Sequence, residues 1–193
     1  TIDRLKKINN RDDEAKIHNL IVPQYEQFEK STFSQDLYLN NAWILDDKYM
    51  TYETILSDKQ MSEIVEVITK GEYQEDDNGK PDIALIFSHD PNSDKSVDVV
   101  IVELKKKGIT LENAMIVETQ LRSRATRLMK HYNNRIQRIW FYGVVEFNDE
   151  LELHLKGEYK ELYSTGKIYY KPTSVVTQAN PEIRLPVGIF MQD

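Results

Sequence analysis

The chain has 193 residues, 40% hydrophobic and 30% charged, and a net charge of −7. These values predict one globular domain over residues 1–193, and the acidic balance argues against general adhesion to nucleic acid. The sequence contains no cysteine, which excludes disulfides and cysteine–metal sites. No apolar run approaches the roughly 20 residues of a membrane span, so we expect a cytoplasmic protein without membrane contact. Because the sequence begins with Thr1, we expect a piece of a longer chain.

The first predicted element is a helix over residues 12–22, where apolar residues recur at helical spacing. Pro23 ends this helix or opens a second one over residues 23–30. Glu14 lies near the apolar stripe, and His18 follows one turn later. Taken alone, Glu14 is predicted to be a solvated acid and His18 a packed or surface residue.

The next stretch, residues 37–68, is rich in aromatic residues and leucine. We expect a short strand around Trp43 and a helix or extended segment over residues 49–56. Residues 70–80 are polar and acidic between two glycines, which predicts a solvated, mobile loop rather than a metal site.

The most informative stretch is a predicted hairpin. Its two apolar, β-branched runs, Ile83–Phe87 and Val97–Leu104, flank a polar loop and are typical of buried strands. Asp82 stands at the start of the first run, and Glu103 and Lys105 stand at the end of the second. A hairpin brings these three charged side chains to one rim of the sheet.

This combination suits metal-assisted hydrolysis. Carboxylates such as Asp82 and Glu103 are the ligands that Mg²⁺ or Mn²⁺ prefers. The ammonium of Lys105 can hold water or stabilise charge on a phosphate in the transition state. The competing interpretation is a surface ion pair at a strand end.

The sequence Pro81-Asp82, followed by Glu103-Leu104-Lys105, resembles the motif of the PD-(D/E)xK nuclease superfamily. The segment NNAWILDDKYMTYETILSDK is similar to a nuclease-like domain at the C-terminal end of some bacterial ATPases of the gyrase/histidine-kinase type, and more loosely to the Shedu defence nucleases. The resemblance spans residues 14–132. It implies an α/β fold with a central mixed sheet flanked by helices, as in restriction endonucleases. It also implies a metal-dependent nuclease site, to which Glu14 adds a carboxylate from an early helix.

After the hairpin, Thr110 is a predicted N-cap for a long helix that extends to about residue 132. The resemblance implies that Gln120, on this helix, completes the site. The helix also carries a concentration of basic residues, which indicate either a phosphate-contacting surface or a solvated helix face. These candidate nucleic-acid-binding residues are Arg122, Arg124, Arg127 and Lys130.

The remaining elements are mostly strands. Residues 138–147 form a predicted central strand, and residues 167–171 and 185–191 are further predicted strands. Between them, alternating leucines favour a strand, whereas Asn148-Asp149-Glu150 is typical of a helix start. Phosphate-binding and serine-hydrolase motifs are absent from the sequence.

The sequence thus predicts Mg²⁺- or Mn²⁺-dependent hydrolysis of nucleic acid, DNA rather than RNA. Two alternatives stay open. One is an inactive nuclease fold that binds nucleic acid or a partner protein, and the other is a dimerising module that serves an ATPase domain in the full-length chain. Both alternatives allow a homodimer.

Overall fold

The computed structural model describes residues 14–29, 40–45, 52–72, 78–87, 96–105, 108, 110–131, 135–176 and 184–193. Within these ranges the chain forms a mixed α/β structure around an eight-stranded sheet with the strand order β1-β2-β3-β4-β5-β8-β7-β6. The strands are β1 (Gln27–Glu29), β2 (Thr54–Ser57), β3 (Ile83–Phe87), β4 (Val97–Leu104), β5 (Ile136–Val144), β6 (Lys160–Glu161), β7 (Ile168–Val176) and β8 (Arg184–Gln192).

Strand direction divides the sheet into three parts. The central strands β4, β5 and β8 run parallel to one another. The strands on both sides, β1 to β3 and β6 to β7, pair antiparallel with their neighbours. Strand β4 is mostly apolar and buried along its whole length, because α1 packs on one of its faces and α3 on the other.

Four α-helices are described, namely α1 (Glu14–Ile21), α2 (Met61–Thr69), α3 (Leu111–Leu128) and α4 (Asp149–Glu158). Helices α2, α3 and α4 share one hydrophobic core with one face of the sheet. Helix α1 packs in a second core on the opposite face. None of the described helices is both long and apolar enough to cross a membrane.

Side-chain caps fix where two of these helices begin. Thr110 Oγ1 accepts a hydrogen bond from the amide of Asn113 at the start of α3, which confirms the predicted N-cap. Asn148 Oδ1 accepts one from the amide of Leu151. The segment after β5 is therefore the helix α4, and the alternating leucines do not form a strand.

Several predicted elements are confirmed and others are wrong. The two hairpin strands have the predicted bounds. Helix α1 ends at Ile21, just before Pro23, as the first of the two alternatives predicts. The second alternative, a helix over residues 23–30, is wrong, because Gln27–Glu29 is the strand β1, which pairs with β2. The segment around Trp43 is a turn of 3-10 helix, Ala42–Ile44, rather than a strand. Residues 12–13, 30, 49–51, 73–77 and 132 of the predicted elements lie outside the described residues.

Candidate active site

The register of β3 and β4 positions the first two acidic side chains. Ile83 pairs with Val102 in the antiparallel ladder, and continuing this register by one residue sets Asp82 opposite Glu103. Directly opposite residues have Cβ atoms about 5 Å apart. The hairpin therefore brings together the two carboxyl groups that the sequence predicts to be neighbours.

Glu103 is buried and forms an ion pair with α3. Only 3% of its side chain is exposed, and its Oε1 accepts a hydrogen bond from Arg124 Nε. A second nitrogen of the same guanidinium, Nη2, donates to the carbonyl oxygen of Lys80 at 2.7 Å. Arg124 thus connects the end of β4 to the segment that enters β3.

Asp82 is held by backbone groups. Its Oδ2 accepts a hydrogen bond from the amide of Leu104 at 2.6 Å. Its own carbonyl oxygen accepts one from the amide of Asp58 at 2.9 Å. These contacts fix the carboxyl group at the point where β3 begins.

His18 ties α1 to the same point. Its Nε2 lies 2.7 Å from the carbonyl oxygen of Asp82, and its Nδ1 lies 2.9 Å from the carbonyl oxygen of Val22. Both neighbours are acceptors, so whichever ring nitrogen carries a proton donates to a backbone carbonyl. His18 is 2% exposed, and these two contacts fix the position of α1 at the rim of the sheet.

Lys105 lies between the sheet and α1. Its Nζ is 3.4 Å from Glu14 Oε1, and 20% of the lysine side chain is exposed. Glu14 and His18 are four residues apart on α1 and so project from one helix face. This arrangement brings the predicted additional carboxylate, Glu14, to the predicted lysine.

Burial dominates the electrostatics of the three acids. It raises the pKa of Glu103 to about 7, although the Arg124 guanidinium acts in the opposite direction. Burial also raises the pKa of Asp82, against the lowering effects of the Leu104 amide and of Lys105. For Glu14, burial again raises the pKa and Lys105 opposes it. Clustered carboxyl groups with raised pKa values are typical of functional sites.

Gln120 carries a polar atom without a partner. Its Oε1 is buried and accepts no hydrogen bond from any described residue. Gln120 precedes Arg124 by one helical turn, so both residues lie on the same side of α3. A buried acceptor without a donor costs free energy, and a bound ligand or water would satisfy it.

The predicted basic surface is smaller than the sequence suggests. Arg124 does not lie on it, because only 10% of its side chain is exposed and its guanidinium is paired with Glu103. Arg122 is exposed and pairs with Glu118, one turn earlier, at 2.8 Å. Arg127 is partly exposed in the last turn of α3, and Lys130 is exposed in the 3-10 turn Met129–His131 that follows it. A phosphate-contacting surface stays a prediction, and it would consist of Arg122, Arg127 and Lys130.

The donor set has the chemistry that a hard divalent cation needs, with oxygen ligands from Asp82 and Glu103 and an unsatisfied amide oxygen from Gln120. The side chains do not yet converge, because within the described ranges no three His, Asp or Glu residues are grouped closely enough to hold a metal ion. One oxygen of Glu103 is also taken by Arg124. The residues therefore fit such an ion provided that this ion pair opens.

Sequence reasoning assigns Arg124 to a phosphate-contacting surface or a solvated helix face and misses its ion pair. The prediction that His18 is a packed or surface residue agrees with the burial of its side chain, but it does not include the two backbone partners of the ring. For Arg124, the sequence carries a signal: Leu121 and Leu128, three residues before it and four after it, are both buried and place it at helical spacing on the apolar stripe. For His18 there is no such signal, because its partners are backbone carbonyl groups.

Comparison of the chain with protein-family models, with curated proteins and with solved structures found no match.

Proposed function

We propose that this protein is a metal-dependent nuclease that hydrolyses phosphodiester bonds in nucleic acid, DNA in preference to RNA. The observation that carries this proposal is the geometry at the rim of the sheet: the register of β3 and β4 sets Asp82 opposite Glu103, and Lys105, just after β4, pairs with Glu14 on α1 at 3.4 Å. Burial raises the pKa of all three acids. Acids with raised pKa values beside a lysine are more typical of functional sites than of a purely structural rim.

Each side chain has a role in this proposal. Asp82 and Glu103 would hold a Mg²⁺ or Mn²⁺ ion, and Glu14 would orient Lys105. When bound, such an ion lowers the pKa of a water molecule and offsets charge on a phosphate. Lys105 would donate to the attacking water or to the phosphate oxygens, and Gln120 would accept a hydrogen bond from that water.

The first prediction is that Lys105→Met abolishes cleavage and leaves the fold intact. The lysine makes only a partly exposed ion pair at 3.4 Å, so its loss should lower stability by less than about 1 kcal/mol. Plasmid DNA is incubated with Mg²⁺ or Mn²⁺, and nicking is followed on a gel while thermal melting reports folding.

The control for this experiment is Lys156→Met, prepared in parallel. Lys156 is an exposed lysine on α4 that pairs with Glu152, so its replacement should leave cleavage unchanged. Equal cleavage by wild type and Lys105→Met would assign the activity to a contaminant or to another site.

A second candidate function is a binding module without catalysis. It is favoured by the ion pair between Arg124 and Glu103, because a side chain proposed as a metal ligand is already paired with a cation of the protein itself. Binding of nucleic acid without cleavage, under every metal tested, would favour this candidate. The dimerising module and the ATPase domain of a longer chain stay predictions of the sequence resemblance.

A further inference from the structure

The ion pair between Arg124 and Glu103 is unusual in its position. Both side chains are almost fully buried, with 10% and 3% exposed, and the pair stands beside a second acid, the half-buried Asp82. A buried ion pair is seldom a strong source of stability, because removing both charges from water costs about as much as their attraction returns. The pair therefore calls for an explanation other than stability.

The contacts of Arg124 suggest one. Its Nε atom pairs with Glu103, whereas its Nη2 donates to the backbone carbonyl of Lys80 at 2.7 Å. The second bond does not depend on the first, so the guanidinium can leave the carboxylate while Lys80 retains it at the rim. The exposed side of this rim is where Lys105 and Glu14 lie, with 20% and 38% of their side chains exposed.

We propose that Arg124 is an internal counter-ion that a divalent cation displaces from Glu103, so that the ion pair controls occupancy of the metal site. This inference rests on the proposed function and adds a regulatory element to it. The guanidinium and the cation compete for the same carboxylate. Once displaced, the fork of the guanidinium has the geometry that suits a phosphate group, so metal binding would make Arg124 available to substrate.

The test is a measurement of Mn²⁺ affinity by isothermal titration calorimetry, without nucleic acid. Arg124→Met removes the competing cation and retains an unbranched apolar side chain. It should tighten Mn²⁺ binding by roughly tenfold, within the range usual for coupled sites. The second variant, Glu103→Gln, should weaken binding strongly, and adding Arg124→Met to it should change the affinity less than about twofold.

The control is Arg138→Met, which removes one positive charge from an exposed arginine that stacks over Trp140 on β5. It should leave Mn²⁺ affinity within about twofold at 0.15 M salt, since screening weakens distant charges. The proposal is overturned if Arg138→Met raises Mn²⁺ affinity as much as Arg124→Met does. It is also overturned if Arg124→Met still raises Mn²⁺ affinity about tenfold in the Glu103→Gln background, since either result would show a general charge effect.

Arg124→Met leaves a buried glutamate unpaired, so the variant can fail to fold. A second measurement on the wild type covers this case. The Arg124 Nε–H signal in a ¹⁵N NMR spectrum should shift on saturation with Mg²⁺ as its hydrogen bond to Glu103 breaks. A signal that does not move while Mg²⁺ binds would overturn the counter-ion proposal and leave the nuclease proposal standing. If no variant and no wild-type sample binds Mn²⁺ or Mg²⁺, both proposals are wrong.

Discussion

At Glu103, burial and ion pairing act in opposite directions. Burial raises the pKa and the guanidinium of Arg124 lowers it, and the balance is a pKa of about 7 against an ordinary value of 4.5. Between these two pH values the folded protein binds a proton that the unfolded chain has released. Stability should therefore fall as pH rises through this window.

The second prediction is the size and origin of that decline. Wild-type protein should lose up to about 3 kcal/mol of unfolding free energy between pH 5 and pH 8, measured by urea unfolding in the absence of metal. Glu103→Gln should show a shallower decline, because only the raised pKa values of Asp82 and Glu14 then contribute. The two proteins are compared by the slope of unfolding free energy against pH rather than by stability at one pH, because Glu103→Gln also leaves Arg124 unpaired. Equal slopes would show that Glu103 does not titrate in this range.

Gln120 offers a test of function against stability. Its buried Oε1 has no partner among the described residues, so the third prediction is that Gln120→Met leaves stability unchanged or raises it by about 1 kcal/mol. Cleavage should nevertheless fall at least tenfold, in the range typical of removing a hydrogen bond to a reacting group.

The matched variant is Gln137→Met, at an exposed position on β5 where Ser96 donates to the glutamine. It should change neither cleavage nor the melting temperature appreciably. A Gln120→Met protein that is both less stable and fully active would assign Gln120 to the packing of α3 alone.

At the scale of elements, Gly143 sets how closely α3 approaches the sheet. Gly143 pairs with Glu103 in the parallel ladder of β4 and β5. A Cβ atom there would lie 2.8 Å from both Val117 Cγ1 and Met191 Sδ. The methionine can move aside, but the β-branched valine on α3 is stiff. Glycine at this position therefore lets α3, with Gln120 and Arg124, approach the carboxyl end of β4.

The fourth prediction compares two glycines. Gly143→Ala should lower the free energy of unfolding by about 1–3 kcal/mol, as is usual for overpacking. Gly157→Ala should instead raise it by up to about 1 kcal/mol, since Gly157 lies in α4 with nothing within 4 Å of the added Cβ. Both values follow from urea unfolding. Similar effects of the two substitutions would show that α3 can shift at no cost.

Elements with a continuous pattern could be predicted from the sequence, and those that depend on distant partners could not. The hairpin strands consist of β-branched runs, and Thr110 caps α3 with its own side chain; both signals are local. Strand β1 has only three residues and exists because it pairs with β2, which follows it by about 25 positions. For Arg124, the apolar stripe of α3 signals burial locally, but its ion pair could not be predicted, because its partner Glu103 is 21 residues away.

At the scale of the whole molecule, a net charge of −7 opposes association with a polyanion. Any binding of nucleic acid must therefore depend on a local basic surface. In the described part of α3 and the turn after it, this surface consists of Arg122, Arg127 and Lys130, because Arg124 is buried in its ion pair. Few basic residues on an acidic protein predict weak binding with a modest salt dependence.

The fifth prediction concerns that salt dependence. Affinity for a short DNA duplex is measured by fluorescence anisotropy in EDTA between 50 and 200 mM KCl, a range chosen because counterion release is readily resolved there. Replacing both Arg127 and Lys130 by Gln should reduce the slope of log K against log salt by about 1.8, or about 0.9 for each phosphate that is no longer neutralised. Arg124→Met should leave the slope unchanged without metal, because its guanidinium is engaged by Glu103.

The control replaces Lys156 and Lys167, two exposed lysines paired with acids, and removes the same charge. If the control flattens the slope equally, net charge rather than the end of α3 governs binding.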